Sequence, residues 1–235
     1  MGLEKKILVF TATYNESENI EEFIKKVKNQ KSEPDLLIID DNSPDNTSLK
    51  ILKLQNEYKN LFLIKREGKL GLDSAHKDAY KYALKNDYDY LITMDADFSH
   101  DPNEIKNFIN NLENYPFVIG SRYMEGGKCL MKKSRLFVSK YGNLLIKFVL
   151  KINCTEYTTS YRGFNLQKLN NFNLNMVKNK GYSFFMGTIF EINKKNFSIK
   201  QIPITFSDRS KGYSKIPKFE LWRTLKNLII LFFNK

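Results

Sequence analysis

Cysteine and histidine are scarce in this 235-residue chain, two of each. Cys129 and Cys154 have no metal-finger spacing, and two thiols cannot staple a disulfide scaffold, so a reduced, cytosolic compartment is the expectation. The opening "MGLEKKILVF" has too short an apolar run for a secretory signal. Nor does any stretch approach the ~20 apolar residues that cross a bilayer; the nearest candidate is "LIILFF" at residues 228–233. Acid is scarce in one half only. Residues 1–113 hold 16 Lys/Arg against 21 Asp/Glu, whereas residues 114–235 hold 22 against 5. The net +12 therefore hides a basic half suited to nucleic acid, a phosphorylated small molecule or an anionic membrane surface. With 42% hydrophobic and 14% aromatic residues, disorder is excluded and one large domain fits.

Strand and helix periods alternate through the first half. "KKILVFTA" (5–12), "PDLLIIDD" (34–41), "LFLIK" (61–65), "DYLITMD" (89–95) and "FVIGS" (117–121) read as buried strands. Between them, Ile20, Phe23, Ile24 and Val27 stripe one helix, and Leu72, Ala75, Ala79, Tyr82 and Ala83 another. Asp101-Pro102-Asn103-Glu104 supplies a helix start, followed by Ile105, Phe108, Ile109 and Leu112. The expected fold class is α/β, with a mostly parallel sheet covered by helices on both faces. Later come a basic loop at 125–133, a helix striped by Phe137, Tyr141, Leu144, Leu145 and Phe148, a strand at 198–206 and a last helix at 217–235. Helical spacing favours core for the 137–148 stripe. The last helix combines Trp222 and "LIILFF" with Lys218, Arg223 and Lys226, which suits an interfacial helix on anionic lipid or a docking face for a membrane partner.

In such sheets ligands bind beyond the carboxyl ends of the strands. Thr13-Tyr14-Asn15-Glu16, Asp40-Asp41-Asn42-Ser43 and Asp95-Ala96-Asp97 all fall there. Asp95 and Asp97, two apart on an extended segment, point the same way and repel, so they need a cation or a shifted pKa. A divalent ion such as Mg²⁺ or Mn²⁺ or a solvated turn would satisfy them; the strand-end position beside other acids favours the ion.

Seven segments in order, "TATYNESENI" (11–20), "IDDNSPDNT" (39–47), "KLGL" (69–72), "MDADFSHDP" (94–102), "GSRYMEGG" (120–127), "TTSYRGF" (158–164) and "ITFSDRSKGYSK" (204–215), resemble the motifs of family 2 glycosyltransferases, nearest to the polyprenol-phosphate mannose synthases. The resemblance implies a Rossmann-like, GT-A type nucleotide-diphosphosugar transferase fold. It implies a metal-dependent, inverting transfer of a hexose, mannose favoured, from a nucleotide sugar (GDP-mannose favoured) to a polyprenyl phosphate at the cytosolic membrane face. Thr13, Tyr14, Glu16, Asp41, Lys69 and Asp95 match donor-binding positions, and Asp95 and Asp97 the metal-binding Asp-X-Asp. Arg122, Arg135, Ser139, Arg209 and Lys211 match acceptor-phosphate or diphosphate positions. Asp97, Arg122 and Arg209 form the expected catalytic set. One of Asp40 and Asp41 is expected to hold the turn, with Asp41 facing the base.

Departures from the family pattern are Ala12 for proline, Asp73 for glycine, Glu156 for aspartate, Phe185 for glutamine and Gly187 where many relatives carry an acid. The last removes a candidate base. A phosphate acceptor, already anionic, tolerates that loss better than a hydroxyl acceptor on a polysaccharide or glycolipid, which is the alternative reading. Remoter alternatives are a nucleic-acid-binding module, for which no recognition motif is present, and an inactive scaffold. His76 is expected on a helix surface, and His100 in a packing role beside the acidic pair. Residues 1–215 form the expected catalytic domain and 216–235 an appended amphipathic helix.

Overall fold

The computed structural model describes residues 5–209 and 219–234. Its main sheet has seven strands: β1 (Ile7–Thr13), β2 (Asp35–Asp40), β3 (Leu61–Lys65), β4 (Tyr90–Thr93), β5 (Phe117–Ser121), β7 (Arg162–Asn165) and β8 (Ile199–Pro203). Their order is β3-β2-β1-β4-β7-β5-β8, all neighbours parallel except those of β7, which runs antiparallel between β4 and β5. A short parallel pair, β6 (Lys128–Cys129) and β9 (Thr205–Phe206), stands apart. The chain winds from β1 outward to β3, then returns to place β4 on the other side of β1. That reversal opens a crevice beyond the carboxyl ends of β1, β2 and β4, where an open α/β sheet binds its ligand.

The expected stripes fill both faces. Ile20, Phe23, Ile24 and Val27 of α1 (Ile20–Lys28) and Ile105, Phe108 and Leu112 of α4 (Ile105–Leu112) are fully buried against Val9, Ile38 and Ile92. With them on that face lies α2 (Thr47–Leu54), through Ile51. Ala75, Ala79 and Ala83 of α3 (Leu72–Lys85) and the apolar residues of α6 (Ser183–Lys194) bury against Phe10, Leu37 and Leu91 on the other. Small residues on α3 let that helix lie close to the sheet. Asp101 accepts the Asn103 amide at 2.9 Å and caps the turn that opens α4.

β7 begins within "TTSYRGF", a segment without an apolar alternation, and ends one residue beyond it. Its Gly163 is required by packing: a Cβ would stand 2.9 Å from Leu112 Cδ1 and 3.1 Å from Phe108 Cδ1. The expected strand 198–206 divides at Ile204 into β8 and β9.

Two expectations are corrected. His76 is buried, ringed by Phe10, Phe184 and Phe185 at centroid distances of 5.0–5.6 Å; loss of water pushes its pKa down to about 3, so it is neutral. The α5 stripe is not core: in α5 (Lys133–Leu150), Phe137, Tyr141, Leu144, Leu145 and Phe148 are 45–79% exposed, and Asn143, Ile146 and Leu150 face inward instead. Asn143 faces inward because it bridges backbone, accepting the Tyr157 amide at 2.6 Å and donating to the Ser139 carbonyl at 2.8 Å. The last helix, α7 (Glu220–Phe233), packs on α5 and α6 through Leu228 and Leu231 and leaves Trp222, Ile229 and Phe233 outside. No helix among the described residues is long and apolar enough to cross a membrane.

Candidate active site

Two cavities open beyond the strand ends, and they meet. The first, ≈ 430 Å³, is lined by Thr13, Tyr14 and Glu16 after β1, Asp41 after β2, Lys69, and Asp95, Asp97 and Arg209. The second, ≈ 440 Å³, is lined by Asp95, Asp97, Arg122, Arg135, Ser139 and Arg209, with Met131, Val138, Ile146, Phe185 and Phe206 as apolar wall. Asp95, Asp97, Tyr182, Arg209 and Glu220 belong to both. Every expected site residue thus lines one cavity or the other, except Lys211, which lies outside the described residues, as does the boundary expected at 215–216.

Asp40 and Asp41 divide their work. Asp40 is buried and accepts from Thr13 Oγ1 (2.7 Å), Ser43 Oγ (2.5 Å), Ser43 N (2.9 Å) and Ser48 Oγ (2.7 Å), tying β1 and α2 to the end of β2. Asp41 lines the first cavity, bonded to Arg66 and to the Gly71 amide at 3.1 Å; Arg66 also reaches Ser74 Oγ at 2.5 Å and the Gly71 carbonyl at 3.0 Å. Arg66 gave no sequence signal beyond following β3, yet it fixes the loop that presents Lys69. The Lys69 ammonium sits 4.1 Å from the Tyr14 ring centroid, a cation–π contact on the cavity wall. Asp40→Ala is expected to cost about 2–4 kcal/mol in urea unfolding, because four donors lose a buried charged acceptor.

At the junction, Asp95 accepts Ser160 Oγ at 2.7 Å on Oδ1, and Asp97 accepts the Ser99 amide at 3.1 Å and pairs with Arg209 Nε at 3.0 Å. Arg209 also stands 4.0 Å from Glu16. The Asp95 carboxyl is pushed up by lost solvation and by the Asp97 charge. Since 42% of its side chain remains open, the geometry supports the Asp97 charge as the cause. His100 Nδ1 accepts the Asp95 amide at 3.1 Å and its Nε2 lies 3.1 Å from Thr159 Oγ1. Burial pushes its pKa down to about 4, so it is a neutral brace, not a counter-ion.

No group of three or more His, Cys, Asp or Glu that could hold a metal occurs among the described residues. The pair nevertheless fits a hard divalent cation that keeps open positions for phosphate oxygens and water. Its donors are carboxylates alone, their mutual repulsion asks for positive charge, both acids line the two cavities, and the histidine 3.8 Å from Asp95 Oδ2 is neutral.

In the second cavity Arg122 is held by Glu156, which is wholly buried: Nε to Oε2 is 2.8 Å, and Nη2 reaches Thr158 Oγ1 at 3.1 Å. Its guanidinium lies 4.2 Å from the Phe206 ring centroid. Arg135 pairs with Asp208 at 3.2 Å, and Ser139 accepts the Tyr123 hydroxyl at 2.7 Å. Gly187 lines neither cavity, and a Cβ there would collide with Asn179 and Val177, so an acid could not replace it without moving both.

Sequence reasoning missed Arg66, Tyr182, Glu220 and Arg223 as cavity-wall or supporting residues. For Glu220 a signal existed: it is the only acid after Asp208.

Comparison with known proteins gives a consistent picture. The sequence pattern of Glycosyl transferase family 2 matches residues 8–172. The chain is 32% identical over 212 residues to undecaprenyl-phosphate mannosyltransferase of Micrococcus luteus, covering 90% of this chain and 87% of that protein. It is 31% identical over 215 residues to polyprenol monophosphomannose synthase of Mycolicibacterium smegmatis, covering 90% and 81%. Among solved structures it is similar to glucosyl-3-phosphoglycerate synthase from Mycobacterium tuberculosis in complex with Mn²⁺, UDP and phosphoglyceric acid, with TM-score 0.69 and 16% identity over 98% of this chain and 78% of that one. The same enzyme with Mg²⁺ and UDP gives TM-score 0.67 at 16% identity, over 98% and 79%. At that identity the likeness concerns the fold.

Proposed function

We propose that this chain, which belongs to glycosyl transferase family 2 and has the GT-A fold, moves a hexose from a nucleotide diphosphate sugar to a polyprenyl phosphate, inverting the anomeric centre. The observation that carries the reading is the meeting of two cavities at Asp95, Asp97 and Arg209: one lined by acids after the strand ends and by Lys69, the other by Arg122, Arg135 and a broad apolar wall. Mannose is the favoured group, in keeping with the names of the two relatives, and GDP-mannose the favoured donor.

In this reading the first cavity takes the nucleotide, with Asp41 toward the base, Thr13, Tyr14 and Glu16 along the nucleoside, and Lys69 toward the diphosphate. Asp95 and Asp97 would hold Mg²⁺ or Mn²⁺, which when bound neutralises the leaving diphosphate. Arg209 bridges both cavities and adds charge where the leaving group becomes more anionic, so the main catalytic term is electrostatic. Arg122, Arg135 and Ser139 receive the lipid phosphate, whose charge of about −1.5 to −2 suits guanidinium forks. A phosphate oxygen attacks the anomeric carbon without giving up a proton, so the glycine at 187 removes nothing the step needs. Lys211 belongs to the same proposed acceptor set.

The acceptor cavity lies between α5 and α7, both of which carry several large apolar residues facing outward. Exposed Lys132, Lys133, Lys140 and Lys226 accompany that face. This supports residues 216–235, with α5, as a peripheral membrane-contact surface on the cytosolic leaflet, from which a prenyl chain enters directly. Phe148→Glu with Trp222→Glu is expected to weaken binding to anionic vesicles more than about tenfold, since two large side chains lose lipid burial. Flotation or sedimentation with vesicles checks it, and transfer to a short, water-soluble polyprenyl phosphate should stay within about twofold of wild type, as neither residue lines a cavity.

The functional reading is tested by offering short-chain polyprenyl phosphate and hydroxyl acceptors together with labelled GDP-mannose, UDP-glucose or UDP-N-acetylhexosamine. Label on the lipid phosphate supports it. Label on a hydroxyl acceptor alone would replace it with the alternative chemistry.

A further inference from the structure

Tyr182 stands on the wall shared by the two cavities, beside Asp95, Asp97 and Arg209. The backbone that carries it is gripped from two distant helices. The Gly181 amide donates to Asp73 Oδ1 at 2.9 Å, from the first turn of α3. The Tyr182 amide donates to Glu220 Oε1 at 2.8 Å, from the first residue of α7. Glu220 is buried, and its second oxygen binds Arg223 Nη1 at 3.0 Å, so its charge is compensated. Gly181 has φ +63°, and a Cβ there would lie 2.6 Å from Arg223 Nη1 and 2.8 Å from Glu220 Oε1, so the grip requires glycine. Two consecutive amides held by carboxylates fix a loop far more tightly than one bond would.

We propose that Tyr182 contacts the hexose in transit, and that Asp73 and Glu220 are positioning residues that aim it. The inference rests on the proposed function: if the first cavity holds the nucleotide diphosphate and the second the acceptor phosphate, the transferred group crosses their common wall. An aromatic ring with a hydroxyl offers an apolar face to sugar C–H groups and a polar tip to sugar hydroxyls. Among the described residues the Tyr182 hydroxyl has no hydrogen-bond partner, so it is available.

The experiment compares GDP affinity with transfer kinetics, using GDP-mannose, Mn²⁺ and a short-chain polyprenyl phosphate. Tyr182→Ala should lower kcat about 30-fold or more while the GDP dissociation constant stays within about twofold, the signature of an interaction made with the sugar and not the nucleotide. Tyr182→Phe, which keeps the ring and the fold, should lower kcat about fivefold. Asp73→Ala should lower kcat about tenfold at unchanged GDP affinity, and Asp73→Asn, which retains an acceptor for the Gly181 amide, should restore it to within about threefold. Equal losses of GDP affinity and kcat, or a kcat that Tyr182→Ala and Tyr182→Phe leave unchanged, would overturn the inference. Absence of GDP and UDP binding in the wild type would instead overturn the functional reading on which it rests.

Discussion

Asp97→Asn is expected to reduce transfer by about 10³-fold or more while the protein stays folded, because the largest catalytic term in a site of this kind is charge placed against the leaving group. Asp97 is buried at the junction, paired with Arg209 and oriented by the Ser99 amide. The amide keeps the shape but cannot serve as an anionic oxygen ligand, and it weakens the pairing with Arg209. Stability should change by no more than about 1–2 kcal/mol, since one charge-assisted bond is lost while the repulsion with Asp95 is relieved. Turnover under saturating substrates and thermal unfolding, measured on the same preparation, separate these outcomes. A variant that keeps a tenth of wild-type activity would remove Asp97 from the catalytic set.

Arg122→Ala should be costly in two ways. Glu156 has no exposed surface, and without the guanidinium its charge is left with only the Thr158 amide and hydroxyl, at 2.9 and 2.7 Å. Breaking a buried pair from one side costs about 3–5 kcal/mol. In a chain of this size that lowers the melting temperature by about 6–20 °C. Transfer should also fail, because the same arginine forms the acceptor-phosphate wall. Replacing both partners, Arg122→Met with Glu156→Met, should return stability to within about 1–2 kcal/mol of wild type, as apolar substitutes for a buried pair often do. It should leave transfer lost. Recovery of both would mean that Arg122 has only a structural role.

The first five strands and helices α1, α3 and α4 were legible because period and burial agree there: each apolar stripe faces the sheet, whereas the short α2 was not expected. The stripe of α5 has the same spacing and faces outward. Periodicity reports that a helix is two-faced, not which face meets protein. β7 was illegible for a different reason: Arg162 and Gly163 answer to neighbours unseen in local sequence. Arg162, fully buried, donates to the carbonyls of Tyr157, Thr159 and Phe185, and Gly163 admits α4.

The site divides in the same way. Acids following strands could be found by position, and the expectation that one of Asp40 and Asp41 holds the turn matches the bonds Asp40 makes. Partners supplied from afar could not. Glu156 appeared only as a departure from pattern, with no local sign that it pairs with Arg122. Tyr182, Asp73 and Glu220 share no local pattern, being joined only by the meeting of α3, the loop before α6 and α7.

The most direct measurement places Mn²⁺ with GDP-mannose in protein carrying ¹³C-labelled aspartate and records electron–nuclear hyperfine couplings. If the acidic pair and the sugar nucleotide share one ion, the spectrum will contain both ³¹P coupling from the diphosphate and ¹³C coupling from carboxylate, and Asp95→Asn with Asp97→Asn will abolish the ¹³C signal. Phosphorus coupling without carboxylate coupling in the wild type, or a ¹³C signal that survives the double substitution, would contradict it.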